Sequence, residues 1–498
     1  MIQAASISRH SFRQRYADLD DAGSYEAWAA AAEALDAETG AAAWRDRDES
    51  ELYDAEALRD SILAMQRHRA DGDAAGLADQ LTEDLYRHLN DLLAPDLYSV
   101  ALGGTKRLVE RFLGEAESSL LWLAQAPGIP HGQLLTRFEQ AWHVFGRTAL
   151  LLSGGATWGF HHLGVVKALF ELELLPHILS GASTGAMMAA GVCSRDRAGL
   201  EDLFANPEQL RLDGLAPVGP VRAWRQGALL DPARLEAVLL HNVGDLTFAE
   251  AHARSGRSLA ISVSPTRHRQ KARLLSHLTA PDVRITSAVL ASSALPTLFP
   301  PVELTRRGPD GQVAPYVPGE RWVDGSIAGD LPKRRLSRLH NVNHFVVSQT
   351  NPHALPFVRH HGRRGVGPAL MRVVSVTARS QGQWATELVR RVSGAGKPIG
   401  RLAAAANAVF TQDYRGHVDL HPRFRPHLLA RIVRNPTVGD LHDFIREGER
   451  AVWPRVAMIR EQTRIGRAFR RAVALLRAEA PAGPGAPPAP GASPPTPP

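Results

Sequence analysis

A serine flanked by glycines, Gly181-Ala182-Ser183-Thr184-Gly185, is the stretch of this sequence best suited to covalent chemistry. Apolar Leu174, Leu175, Ile178 and Leu179 lead into it, and Ala186, Met187, Met188, Ala189 and Ala190 follow, so it reads as strand, sharp turn and helix. Gly-x-Ser-x-Gly at such a junction is a nucleophile elbow: the turn pushes the hydroxyl outward, and the helix N-terminus behind it favours negative charge. The glycines at 181 and 185 let neighbouring backbone come close. One strand earlier, Ser153-Gly154-Gly155-Ala156-Thr157-Trp158-Gly159 joins the apolar run at residues 148–152 to a helix starting at His161. The amides of such a loop suit an anion. A nucleotide phosphate is one reading, but there is no Walker lysine and Ala156 replaces the middle glycine of G-x-G-x-x-G. An oxyanion hole for Ser183, built from Gly154, Gly155 and Ala156, is favoured over it. The third feature is Asp324-Gly325 after Arg321-Trp322-Val323: an acid at the end of a strand, where α/β folds place catalysis, or an ordinary Asp-Gly turn. His161, His162 and His177 suit packing or capping better than proton transfer.

A sheet has to hold these groups. Apolar strand-like runs at residues 148–152, 259–263 and 343–348 alternate with helical patterns at 161–169 and 282–290, which argues an α/β fold whose mostly parallel sheet is covered on both faces. Residues 24–145 read as a helical N-terminal domain, with runs starting near Ser24, Ala55 and Asp73 and after Gly103-Gly104-Thr105. Leu81, Leu85, Leu89 and Leu92 place one apolar face on the third helix. Trp28 and Trp44 read as core or interface anchors. The remaining boundaries are a flexible start at 1–23, a catalytic domain at 146–350, a helical extension at 351–479 that packs on the catalytic domain, and a disordered Pro/Ala/Gly tail at 480–498. Within the extension, arginines from Arg455 to Arg477 share a helical pattern with Val456, Ile459, Ile465, Phe469, Val473 and Leu476. That helix either lies on an anionic membrane or, as favoured here, packs its apolar side on the sheet. A basic loop at 359–364 suits lipid headgroups or plain solvent.

Charge is unevenly spread. Residues 1–145 carry 13 Lys and Arg against 25 Asp and Glu, whereas residues 146–498 carry 45 against 26, a net of +19. A basic half suits an anionic partner such as a phospholipid surface or nucleic acid, or is simply a solvated arginine excess. No nucleic-acid motif accompanies it. The single cysteine, Cys193, excludes an internal disulfide, and neither a secretory signal nor a run of about 18 apolar residues is visible. These features predict a cytoplasmic protein attached peripherally to a membrane or lipid surface.

With residues 153–159, 181–185, 291–302 and Asp324-Gly325 in this order, the sequence resembles the patatin-like phospholipase family over roughly residues 148–348. The resemblance implies a three-layer patatin-like fold and a lipid acyl hydrolase. Ser183 would be the nucleophile, Asp324 its base, and no histidine, metal or organic cofactor would be needed. Gly159, Gly181, Gly185 and Gly325 complete the motifs. The helical part resembles the domain that precedes the patatin domain in triacylglycerol lipases of yeast lipid droplets and oil seeds, through residues 25–28, Trp44, Tyr53-Asp54, Leu97-Tyr98 and Gly104-Thr105-Lys106. Ala156 and Asp-Gly-Ser depart from the commoner patatin pattern and fit that branch. The implied partner is a lipid substrate at a membrane or droplet surface. Acyl transfer between lipids, or a catalytically silent lipid-binding scaffold, are the alternatives.

Overall fold

Arg147–Leu152 forms β1, whose last four residues are fully buried. In the computed structural model, which describes residues 16–127, 129–267, 271–325, 330–351, 415–423 and 434–478, β1 lies in the middle of the principal sheet. The basic loop at 359–364 and the tail at 480–498 lie outside the described residues. β2 (Ile178–Gly181) pairs in parallel with one edge of β1 and β8 (Val342–Ser348) with the other. β3 (Ser258–Pro265) and β9 (Val418–Leu420) extend the parallel set outward. β4 (Arg273–Ser276) closes one side antiparallel to β3, so the order is β4-β3-β2-β1-β8-β9. β5 (Thr305–Arg307) and β6 (Val313–Pro315) form a separate two-stranded ribbon. The alternation read from the sequence is therefore present: helices His161–Glu171, Thr184–Cys193 and Ile285–Ser292 separate the strands, as a mostly parallel sheet requires.

One short strand departs from the parallel pattern and matters most. β7 (Trp322–Asp324) runs antiparallel to β3, pairing Val263 with Asp324 and Pro265 with Trp322. Val263 also pairs with Arg273 of β4, so β7 must lie along the other edge of β3, the edge that β2 leaves free after Gly181 meets Ile261. The chain thus returns toward the end of β2. Asp324 stands two positions beyond the level of Gly181, the same count that separates Gly181 from Ser183.

The chain divides into two compact units that do not follow the order expected from the sequence. One unit holds residues 1–42, 98–104 and 146–460, and the other holds 43–97, 105–145 and 461–498. The expected single helical domain at 24–145 is thus shared between them. The physical reason lies in specific contacts inside the first unit. The helix Tyr25–Thr39, capped by Ser24, buries Trp28 beside Trp453. Its Asp36 accepts the amides of Leu102 (2.9 Å) and Gly103 (2.8 Å). In the second unit, the helices Ala55–Ala70, Ala74–Leu92 and Arg107–Leu123 pack through Leu58, Met65, Leu77, Leu108 and Phe112, all fully buried. The helical pattern expected over 441–478 is two helices, Val438–Val452 and Val456–Ala478, divided at Trp453-Pro454-Arg455. Proline lacks the donor that a continuous helix would need there. Ile459, Ile465, Phe469, Val473 and Leu476 are buried, so the apolar stripe of the second helix is covered by protein.

Candidate active site

Ser183 sits at φ 53° and ψ −126°, immediately before the helix Thr184–Cys193. That conformation disfavours a side chain by about 1–3 kcal/mol and persists only where its surroundings dictate it. They do so through close backbone contacts. A Cβ on Gly185 would lie 2.1 Å from the Leu152 carbonyl oxygen, and one on Gly181 would lie 2.3 Å from that of Gly185. Gly159 is held as closely, with Thr184 Cγ2 at 2.4 Å from its would-be Cβ. The Ser183 amide donates to Ser292 Oγ (3.1 Å), and that hydroxyl donates to the Ser262 carbonyl on β3 (2.8 Å). The elbow is thereby pinned to the strand that also positions Asp324.

The loop after β1 is fixed through the two backbone polar groups of one residue, Gly154. The Gly154 carbonyl accepts from Ser153 Oγ (2.8 Å) and Thr350 Oγ1 (3.0 Å), and its amide donates to Asp330 Oδ1 (2.9 Å). This corrects the expectation that Gly154 supplies an oxyanion donor: its N–H already has a carboxylate partner. Gly155 and Ala156 differ. They stand at the start of the 3₁₀ turn Ala156–Phe160, whose first amides have no partner within the turn, and among the described residues neither amide bonds elsewhere. Ala156 takes φ 48°, the left-handed region that an alanine seldom adopts. A Cβ on Gly155 would meet Thr350 Oγ1 at 2.2 Å.

Asp324 is 2 % exposed, and its amide donates to the Ala294 carbonyl (3.1 Å). Gly325 has no room for a side chain, since the Ser262 carbonyl oxygen would lie 2.1 Å from its Cβ. Ser183, Asp324, Gly154, Gly155 and Ala156 all border one cavity of about 340 Å³. Its apolar walls include Met187, Leu212, Leu235, Val238, Leu298 and Phe299. A third part of the wall comes from far along the chain. Asn435 accepts the Leu215 amide (2.8 Å) and donates to the Leu215 carbonyl (3.0 Å), while Thr157 Oγ1 donates to the Arg434 carbonyl (2.6 Å).

Two residues that the sequence did not single out organise this site. Asp330 is buried, holds the Gly154 amide and accepts from Asn351 Nδ2. Burial pushes its carboxyl up to about 7, the Gly154 amide opposes that, and the charge of Asp324 adds to the rise. Ser292 is the other, and it links the elbow to β3. Each lies inside or beside a segment that carries the family resemblance, at 291–302 and just after Asp324-Gly325, but its residue type and spacing do not reveal its contact. His161 and His162 are buried in the packing role expected of them. His162 bridges Ser348 Oγ (2.7 Å) and the Ser153 carbonyl (2.9 Å). A carbonyl only accepts, so Nε2 carries the proton. Burial lowers its pKa to about 4. His161 is fully buried and His177 is exposed, and among the described residues no histidine lines the cavity.

Residues 150–334 match the family described as patatin-like phospholipase, and residues 6–143 match a domain of unknown function, DUF3336. The chain is 31% identical to triacylglycerol lipase ptl3 of Schizosaccharomyces pombe, over 90% of this chain and 94% of that protein. It is 32% identical to triacylglycerol lipase SDP1L of Arabidopsis thaliana, covering 91% of this chain and 57% of that one. Triacylglycerol lipase 4 of Saccharomyces cerevisiae is 31% identical, over 90% of this chain and 51% of its own length. The chain therefore spans nearly all of the first relative and about half of the other two.

Proposed function

The chain belongs to the patatin-like phospholipase family, and on that premise we propose that it is a lipid acyl hydrolase in which Ser183 and Asp324 form the catalytic dyad. Ser183 Oγ attacks the ester carbonyl while Asp324 accepts the hydroxyl proton. The Gly155 and Ala156 amides receive the oxyanion, and the N-terminus of the helix Thr184–Cys193 adds a favourable field. The alcohol leaves, water attacks the acyl-enzyme, and the fatty acid is released. The apolar walls suit an acyl chain.

One observation carries the reading: a strained serine, a buried carboxylate and two amides that have no partner among the described residues border the same apolar cavity. An unperturbed aspartate is a weak base near neutrality. Asp324 is buried at the cavity wall, and its charge is felt by the neighbouring Asp330 carboxyl. Given relatives named triacylglycerol lipases, the substrate is proposed to be an acylglycerol presented at a membrane or droplet surface on its cytoplasmic side. Attachment is proposed to be peripheral. Among the described residues no helix is long and apolar enough to cross a membrane.

The test is product analysis on dispersed triacylglycerol and phospholipid, wild type beside Ser183→Ala and Asp324→Asn. Each variant is expected to lose at least about 10³-fold in turnover while staying folded. Hydrolysis retained in Ser183→Ala would remove the serine mechanism. Release of fatty acid from phospholipid alone would replace the acylglycerol assignment.

A further inference from the structure

Beside the cavity, the chain builds an arm with no core of its own. Val218 N–H donates to the Leu229 carbonyl (2.9 Å) and Asp231 N–H to the Ala216 carbonyl (2.9 Å), which closes the base. Between them, the helix Pro220–Gln226 has no buried residue. Gln226 Nε2 braces the return segment by donating to the carbonyls of Ala228 (2.8 Å) and Leu230 (3.0 Å). The arm is therefore an ordered element whose return segment is anchored by hydrogen bonds and by the buried Ala228 and Leu230, while its helix projects unburied.

Its exposed residues are of the wrong kind for water. Trp224 is 86 % exposed, Val221 66 % and Leu229 56 %. Scattered apolar residues on a surface need no explanation, but a tryptophan almost wholly in solvent beside two more large apolar side chains does. The position of the arm supplies one. Leu229 N–H donates to the Thr297 carbonyl (3.0 Å) and Leu230 N–H to the Leu298 carbonyl (2.9 Å). Those acceptors belong to the segment whose Leu295, also exposed, and Leu298 line the cavity. The apolar surface thus continues from the arm to the lip of the cavity. Two arginines flank Trp224. Arg222 pairs with Asp231, whereas Arg225 is exposed and has no ion pair among the described residues. Trp favours the water–lipid boundary because its ring is apolar and its N–H polar, and nearby cations favour anionic headgroups.

We propose that the arm at residues 216–231 inserts Trp224, Val221 and Leu229 into an anionic phospholipid surface and so sets the cavity mouth against it. The identity of what then enters the cavity rests on the hydrolase reading, but docking does not. For that reason binding is measured on the full-length Ser183→Ala protein, which keeps the two questions separate. The probe is phosphatidylcholine vesicles with and without phosphatidylglycerol, read by co-sedimentation. Trp224→Ala is expected to weaken vesicle binding by at least about tenfold, and Trp224→Phe to keep most of it. Val221→Ser is a second exposed variant and should weaken binding in the same direction. Melting temperatures of the lipid-free proteins should coincide, since these side chains bury nothing. Vesicle binding equal to the parent in both Trp224→Ala and Val221→Ser would overturn the proposal. So would a change in sedimented mass of the lipid-free protein without a change in vesicle binding, which would make the patch a contact between copies of the chain.

Discussion

At the scale of single residues, the site depends on which atoms are already engaged. Gly154 has both its polar groups tied down, and this leaves Gly155 and Ala156 to present theirs. Gly155→Ala places a methyl where Thr350 Oγ1 stands and is expected to lower kcat by roughly 10²-fold with a smaller change in KM. Adding Thr350→Ala should recover part of that loss by making room. No recovery in steady-state kinetics of the double variant would show that the loop geometry is set elsewhere. Asp330 makes a second, independent prediction. Its carboxyl titrates near 7 in the folded chain, against an ordinary value of 3.8. Between those values the folded state binds more protons than the unfolded one, so this group's contribution to stability falls as pH rises from about 4 to about 7 and then levels off. Asp330→Asn removes that dependence. Urea midpoints of wild type minus variant should therefore decline across that interval, and a flat difference would remove the burial argument. Ser183 and Asp324 stood out in the sequence as turn residues at strand ends, and the structure brings both to one cavity. Asp330 did not, because nothing in a linear Asp-Leu-Pro shows that its carboxylate meets an amide 176 positions earlier.

Elements place these atoms through register and close approach. β7 reaches the site only because it runs back along the edge of β3 that β2 leaves free. Alternating apolar runs revealed the strands, yet three residues at Trp322–Asp324 are too few to reveal a direction. Helix packing was equally hidden. A Cβ on Gly448 would lie 2.3 Å from the His161 carbonyl oxygen, and one on Gly164 would lie 1.8 Å from that of Ile445. The helices Val438–Val452 and His161–Glu171 therefore touch backbone to backbone, with Lys167 paired to Glu449 beside the crossing. Both glycines read as unremarkable in sequence, since a crossing is a property of two helices that the chain separates by more than 250 residues. Gly448→Ala is expected to destabilise the fold by about 1–3 kcal/mol through overpacking. Chemical denaturation measures this, and an unchanged midpoint would mean that the helices separate without penalty.

For the whole molecule, the leading quantity is the charge difference between an acidic start and the basic remainder, a net of −12 over residues 1–145 and +19 beyond them. Attraction of the basic part to anionic lipid is screened over about 8–10 Å at physiological salt. Vesicle binding is therefore expected to fall as sodium chloride rises from about 0.05 to 0.5 M, with a residue of binding that persists and disappears in Trp224→Ala. A salt titration by co-sedimentation reads both components, and salt-independent binding throughout would assign the basic excess to solvation alone. Composition made the charge asymmetry legible, whereas the division into two units depended on contacts such as Asp36 with Leu102 that no local pattern announces. The clasp between Asn435 and Leu215 has a further consequence, which concerns time. During synthesis at about 5–20 residues per second, Ser183 emerges from the ribosome tens of seconds before Asn435 does. Throughout that interval the growing chain holds the proposed nucleophile but lacks a wall of the chamber in which it would act. Closure of that chamber, and with it the proposed chemistry at Ser183, therefore waits on a segment made about 250 residues after the serine.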